Sequence, residues 1–292
     1  MLELGSPLRL LLVPWDSGRR EVRMGAGPTA LVRGGAAERL RAQGHTVEEQ
    51  RIEPSGWHAE LKTAFELHRQ IAEAVNYAQR IGQVPLLLSG NCNSTIGMLA
   101  GLAGRPWGRI GLVWLDAHGD FNTPDIDPHG FLDGQGLATA VGRCWSALAS
   151  TVPGFAPLPE KRVVLVGARS LDAAEEMALH ASAVTWLPPA NARTPDTVGS
   201  AIDRLAEQSD AVHMHIDLDV HDPSIAPANS YAAADGLTAA EVQRVVRQVA
   251  DRLPIASATL ASYDPTYDPA GRMRQTALDL LALLAQLAAV PR

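Results

Sequence analysis

The chain has 292 residues, 46% hydrophobic and 20% charged, enough apolar material to bury a full core as a single domain over residues 1–292. Twenty-five basic residues against 32 acidic ones give a formal charge of −7, and no Lys/Arg cluster tracks a phosphate backbone. That balance excludes nucleic acid and anionic membrane as expected partners and points to a small molecule.

The first apolar run, residues 8–13, contains Arg9 and stops at Pro14 with no small-residue cleavage site, so it reads as a buried strand and not as a leader. Further strands are predicted at 46–52, 85–89, 110–116, 163–167, 183–187, 212–220 and 255–261, eight in all. Between them lie helical patterns. Residues 59–81 and 273–290 carry apolar stripes, and Thr238 with Glu241 forms a capping-box pattern ahead of Val242, Val245, Val246 and Val249. The alternation predicts a three-layer α/β/α fold around a mostly parallel eight-stranded sheet. The apolar segment 278–290 contains Asp279 and Gln286 and is amphipathic, so a soluble, cytoplasmic protein is expected.

Irregular segments rich in Pro, Gly, Asp and Asn occupy 122–135, 188–194, 221–236 and 263–271, and three of them directly follow a predicted strand. Parallel α/β sheets bind ligands there, at strand C-terminal ends. Two cysteines, Cys92 and Cys144, are expected to stay reduced.

Four aspartates fall in two tight pairs at predicted strand ends: Asp116 with Asp120, and Asp217 with Asp219. Alternation along a strand puts Asp217 and Asp219 on one side, as it does His213 and His215, whose expected use is to hydrogen-bond those carboxylates. For any single Asp, capping a helix or turn is the default role. Four together, with His118 between the first two, are better explained by cations that neutralise their repulsion. Carboxylates with one imidazole suit Mn²⁺ or a similar ion, and two such pairs suggest a two-metal site that activates a water for hydrolysis.

The segment Leu115-Asp-Ala-His-Gly-Asp-Phe-Asn-Thr-Pro124 resembles the DAHxDxNTP motif of the arginase/agmatinase/formimidoylglutamase (ureohydrolase) family. Asp217-Leu-Asp-Val-His-Asp-Pro-Ser-Ile-Ala-Pro227 is similar to its DxDxxDPxxxP motif, and Gly27-Pro28-Thr29 and Gly167-Ala-Arg-Ser-Leu-Asp172 resemble two further segments. The resemblance implies two divalent ions, Mn²⁺ by preference, with Asp116 and Asp217 bridging both, Asp120 on the first, and His118 and Asp219 on the second. It also implies that Asn122 and Asp172 hold the distal end of an amino-acid-like substrate, and it makes a homo-oligomer possible.

Three positions depart from the family pattern. Ser89-Gly-Asn-Cys-Asn-Ser-Thr-Ile-Gly97 carries Cys92 where the family has a histidine on the first metal. As a ligand it would add a fifth anion and lower the Lewis acidity of the pair; the alternative is a small buried hydrophobe that fills the turn. Asp133 replaces a proton-shuttling histidine, and His129 is a second candidate for that task. Ser262 replaces a glutamate that contacts the guanidinium, which favours a less basic amidine unless Asp264 or Asp268 compensates.

The leading expectation is therefore a metal-dependent hydrolase that cleaves a C–N bond of a guanidino, N-hydroxyguanidino or formimino compound. A catalytically degenerate binding or regulatory protein and a single-zinc, deacetylase-like amide hydrolase are the other two readings.

Overall fold

The computed structural model describes residues 5–56, 59–104 and 106–290. Eight strands form one sheet: β1 Leu8–Val13, β2 Val47–Arg51, β3 Val84–Ser89, β4 Ile110–Leu115, β5 Val163–Val166, β6 Thr185–Leu187, β7 Ala211–Asp217 and β8 Ile255–Ala261. Their order is β2-β1-β3-β8-β7-β4-β5-β6, and every pairing is parallel.

Strand alternation builds the three layers. On β4, Leu112 and Trp114 face a core with helices Glu60–Arg80 and Thr95–Leu102, while Val113 and Leu115 face a second core with helices Pro195–Gln208, Ala239–Ala250 and Arg272–Leu287. The central strands are thus buried on both faces, which is why they read as unbroken apolar runs. The edge strand β2 is instead Val-Glu-Glu-Gln-Arg, and its charged exposed side discourages pairing with another chain. Among the described residues no helix is long and apolar enough to cross a membrane.

Several strands stop short of their patterns, β7 by the most at its C-terminal end. β7 ends at Asp217, because the Asp217 Oδ1 accepts the Asp219 N–H at 2.8 Å and turns Leu218–Val220 into a 3-10 turn. Asp219 therefore reaches its place through this side-chain cap, and not through strand alternation.

Two local features give stability predictions. Thr238 caps Ala239–Ala250 as its sequence implies, accepting the Glu241 N–H at 3.2 Å while Glu241 Oε2 accepts the Thr238 N–H at 2.8 Å. Thr238→Ala should lower stability by about 1 kcal/mol in urea unfolding. Gly27 opens a helix whose backbone abuts the β8 exit loop, and a Cβ there would lie 2.2 Å from the Tyr263 carbonyl oxygen. Since that atom belongs to the backbone, Gly27→Ala should cost about 1–3 kcal/mol in the same measurement.

Candidate metal centre

All eight strands point the same way, so the loops leaving the adjacent strands β3, β8, β7 and β4 meet at one edge. Trp114 and His215 are register partners on β4 and β7, and their rings stack with centroids 3.7 Å apart. One step further along the same face come Asp116 and Asp217. Asp116 is fully buried, accepting from Trp114 Nε1 at 3.0 Å and from the His118 N–H at 2.8 Å. Asp219 Oδ1 accepts the Ala117 N–H at 3.2 Å, and its Oδ2 accepts the Asn229 amide at 3.2 Å.

His118 Nδ1 lies 3.3 Å from Asp116 Oδ1 and 3.4 Å from Asp219 Oδ2, so these three residues can share one ion. Asp120 adopts a left-handed φ of 47°, a conformation Asp tolerates better than most residues, and its buried Oδ2 has no hydrogen-bond partner.

Cys92 enters from the turn between β3 and Thr95–Leu102. Asp133 holds that turn, accepting from Asn91 Nδ2 at 2.7 Å, the Cys92 N–H at 3.1 Å and the Asn93 N–H at 2.8 Å. The Cys92 thiol donates to Asp217 Oδ2 at 3.0 Å and lies 3.2 Å from Ser262 Oγ. Both cysteines are free thiols; Cys144 lies away from the site, 3.3 Å from Thr139 Oγ1.

The electrostatics fit a cation site. Burial first, then neighbouring carboxylates, holds Asp116, Asp120 and Asp217 above the usual carboxylate range. Burial opposes the His118 charge, but Asp219, Asp116 and Asp217 outweigh it and raise that imidazole to about 10. Burial and the Asp217 charge likewise push the Cys92 thiol up. Buried carboxylates this close repel unless protons or cations neutralise them, and the unpartnered Asp120 oxygen is a donor atom open to a cation.

A family model described as the arginase family matches residues 6–288. This chain belongs to the arginase family. It is 31% identical to the arginase of Bacillus caldovelox, over 95% of this chain and 97% of that protein. The solved structure of that arginase at pH 5.6 superposes with a TM-score of 0.85, covering 97% of this chain and 98% of the other. An arginase structure from Bacillus subtilis gives 0.86 at 29% identity, covering 96% and 98%.

In this arginase-family chain a cavity of about 400 Å³ opens over the cluster, lined by Cys92, His118, Asp120, Asp217, Asp219 and Ser262 at one end and by Asn122, Asp172, Phe131 and Tyr231 further out. Its lining contains seven acidic residues and no lysine or arginine, so the field favours cationic groups. Asn122 Nδ2 donates to Asp172 Oδ2 at 3.2 Å, which brings together the two residues expected to hold the distal end of a substrate. The buried Asn122 Oδ1 is left without a partner. Both proton-shuttle candidates line the cavity: Asp133 is buried behind the Cys92 turn, and His129 is exposed at the rim.

Several expectations change. Asp264 and Asp268 do not reach the cavity: Asp264 accepts from the Thr266 N–H and hydroxyl, and Asp268 from the Tyr263 hydroxyl and the Arg272 and Arg274 N–H groups. Ser262, held at φ 64°, is the residue of that loop that lines it. His213 and His215 are read from the sequence as hydrogen-bonding the ligand carboxylates, yet His213 contacts Ser257 and Thr259, and His215 contacts Thr95. The cause is their depth below the strand ends, where the hydroxyls of Thr95, Ser257 and Thr259 take their hydrogen bonds.

Sequence patterns also miss some supports. Asn229 bridges Asp219 and the Ser262 carbonyl, with no motif to flag it inside its loop. Glu175 accepts the Phe121 N–H at 2.8 Å and so braces the Asp120 turn; the Asp172-x-x-Glu175 capping spacing is the signal that could have found it. Asp127 accepts from the N–H groups of His129, Gly130 and Phe131, folding the rim loop. Arg169, in the segment that resembles a family motif, donates to the carbonyls of Asp219, Ala233 and Ala234 and ties loop 221–236 to the β5 exit.

Proposed function

We propose that this protein is a binuclear-metal hydrolase cleaving a C–N bond of a linear guanidino, N-hydroxyguanidino or formimino compound. The observation that carries the reading is the convergence of Asp116, His118, Asp120, Asp217 and Asp219 at the floor of an acidic cavity, with a buried carboxylate oxygen unpartnered. The full-length match to arginases supports it.

Cys92, at the position of the family's metal-binding histidine, would hold one ion together with Asp116, Asp120 and Asp217. Two divalent ions, Mn²⁺ in the family's pattern, would supply when bound an activated water and charge stabilisation at the trigonal carbon. The chain's own residues do the rest. The Asn122 Oδ1 and the Asp172 carboxylate accept from the ammonium end of an amino-acid-like substrate, and Phe131 and Tyr231 wall the path. Ser262 offers a neutral hydroxyl where the family has a carboxylate, which favours a substrate less basic than a plain guanidinium. The departing amine takes its proton from His129, which exchanges with solvent at the rim, or from Asp133, whose carboxyl burial raises to about 7 against the opposing pull of its N–H donors.

A second reading, a binding protein with one metal or none, draws on the Cys92 thiol already satisfying Asp217. The test is elemental analysis of Mn²⁺-loaded protein beside Cys92→Ser, with urea, hydroxyurea or formamide release followed over arginine, agmatine, N-hydroxyarginine and formiminoglutamate. Two ions falling to one in the variant, with turnover of one amidine, supports the hydrolase. One ion or none in the unaltered protein, with no turnover, overturns it and leaves the binding protein.

A further inference from the structure

His215 is the one buried imidazole near the cluster whose role the preceding assignment leaves open. It is inaccessible to solvent, its ring is clamped on Trp114, and its Nε2 has no hydrogen-bond partner. A ring nitrogen of His215, the Cys92 Sγ and a carboxylate oxygen of Asp116 all lie within 4.8 Å of one another.

The Thr95-to-Thr259 hydrogen bond leads to one consistent assignment of the ring protons. Thr95 Oγ1 donates to Thr259 Oγ1 at 3.4 Å, so its lone pairs are free to accept the Nδ1–H of His215 at 2.7 Å. In that assignment Thr259 donates to His213 Nε2, 3.2 Å away, and His213 Nδ1–H to Ser257 Oγ, 2.6 Å away. In this direction every donor has an acceptor, and His215 Nε2 is left as a bare lone pair. A histidine ligand oriented by a hydrogen bond from its other nitrogen has this arrangement. An orphaned buried nitrogen with no ligand would only cost stability.

We infer that His215 is a metal ligand, binding one ion through Nε2 together with Cys92 and Asp116, and that this sulfur–nitrogen–oxygen set selects zinc. The inference rests on the proposed binuclear reading and deepens it. Thiolate and imidazole favour Zn²⁺, whereas Asp116, His118 and Asp219 form a harder set suited to Mn²⁺. The two halves of the centre thus differ in metal preference, and the imidazole missing at position 92 returns from β7, two strands away.

X-ray absorption at the zinc edge, on metal-free protein given one equivalent of Zn²⁺, tests this without any variant. The expected result is one sulfur and one imidazole on the same ion. Sulfur without imidazole, or neither, overturns the inference. Competition with a chelator adds a second measure. His215→Gln should weaken zinc binding by at least about 100-fold while Mn²⁺ binding persists, and Thr95→Val by about 10–100-fold. His118→Gln should do the reverse, losing Mn²⁺ and keeping the zinc-edge imidazole. Two ions bound equally well by His215→Gln would discard His215 and leave the binuclear reading standing. No ion bound by the unaltered protein would discard both.

Discussion

Removing divalent ions should lower the melting temperature by about 5–10 °C at about pH 8, and the loss should shrink as the pH falls toward 6.5. The magnitude follows from mass action, since an ion at 100 times its dissociation constant contributes about 2.7 kcal/mol to the folded state. The pH dependence follows from the carboxyls. Burial, chiefly, raises Asp133 and Glu175 to about 7 in the fold, and burial with mutual repulsion raises Asp116, Asp120 and Asp217. A carboxyl whose folded value exceeds its unfolded one contributes stability at low pH and loses it as the pH rises through the folded value. The metal-free protein therefore regains stability as it is acidified through about 7, whereas the loaded form keeps its carboxylates ionised against the cations. His68, His213 and His221, buried neutral with values lowered to about 4, 3 and 4, oppose acidification in both forms and cancel in the difference. Calorimetry of loaded and stripped protein at the two pH values measures the gap. A gap that stays constant would mean the cluster is not neutralised by metal.

Asp120→Asn should stabilise the metal-free protein by about 1–2 kcal/mol while weakening the first ion by at least about 100-fold. Burial and the charges of Asp116, Asp133, Asp217 and Glu175 all disfavour its ionised form. Its Oδ2 has no donor to lose, and its φ of 47° suits asparagine at least as well as aspartate. An amide removes the repulsion and keeps the backbone, so stability and function move in opposite directions. Urea unfolding of stripped protein and metal titration of loaded protein read the two effects. If the variant loses stability without metal, the carboxylate serves the fold and not an ion.

The layers and the carboxylate cluster were legible for different reasons. The eight strands could be read because burial on both faces makes them continuous apolar runs, and their ends were off mainly where side chains cap the backbone, as Asp217 does at β7. Asp116, His118 and Asp120 could be read because a single strand exit holds all three within five residues, and Asp217 with Asp219 likewise. Cys92 could be aligned, but its meeting with Asp217 depends on β3, β8 and β7 lying side by side, which no local pattern encodes.

By itself the sequence determined the layered α/β architecture and the strand ends that carry the clustered carboxylates, because these depend on periodicity and on neighbours a few residues apart. Only the tertiary structure decided that Asn122 meets Asp172, that Asp133 braces the Cys92 turn, that Asp264 and Asp268 turn away from the cavity, and that His215 presents a bare nitrogen beneath the site. The Asn122–Asp172 and Asp133–Cys92 contacts join segments 50 and 41 residues apart and are set by strand order, whereas Asp264 and Asp268 are taken up by donors of their own loop.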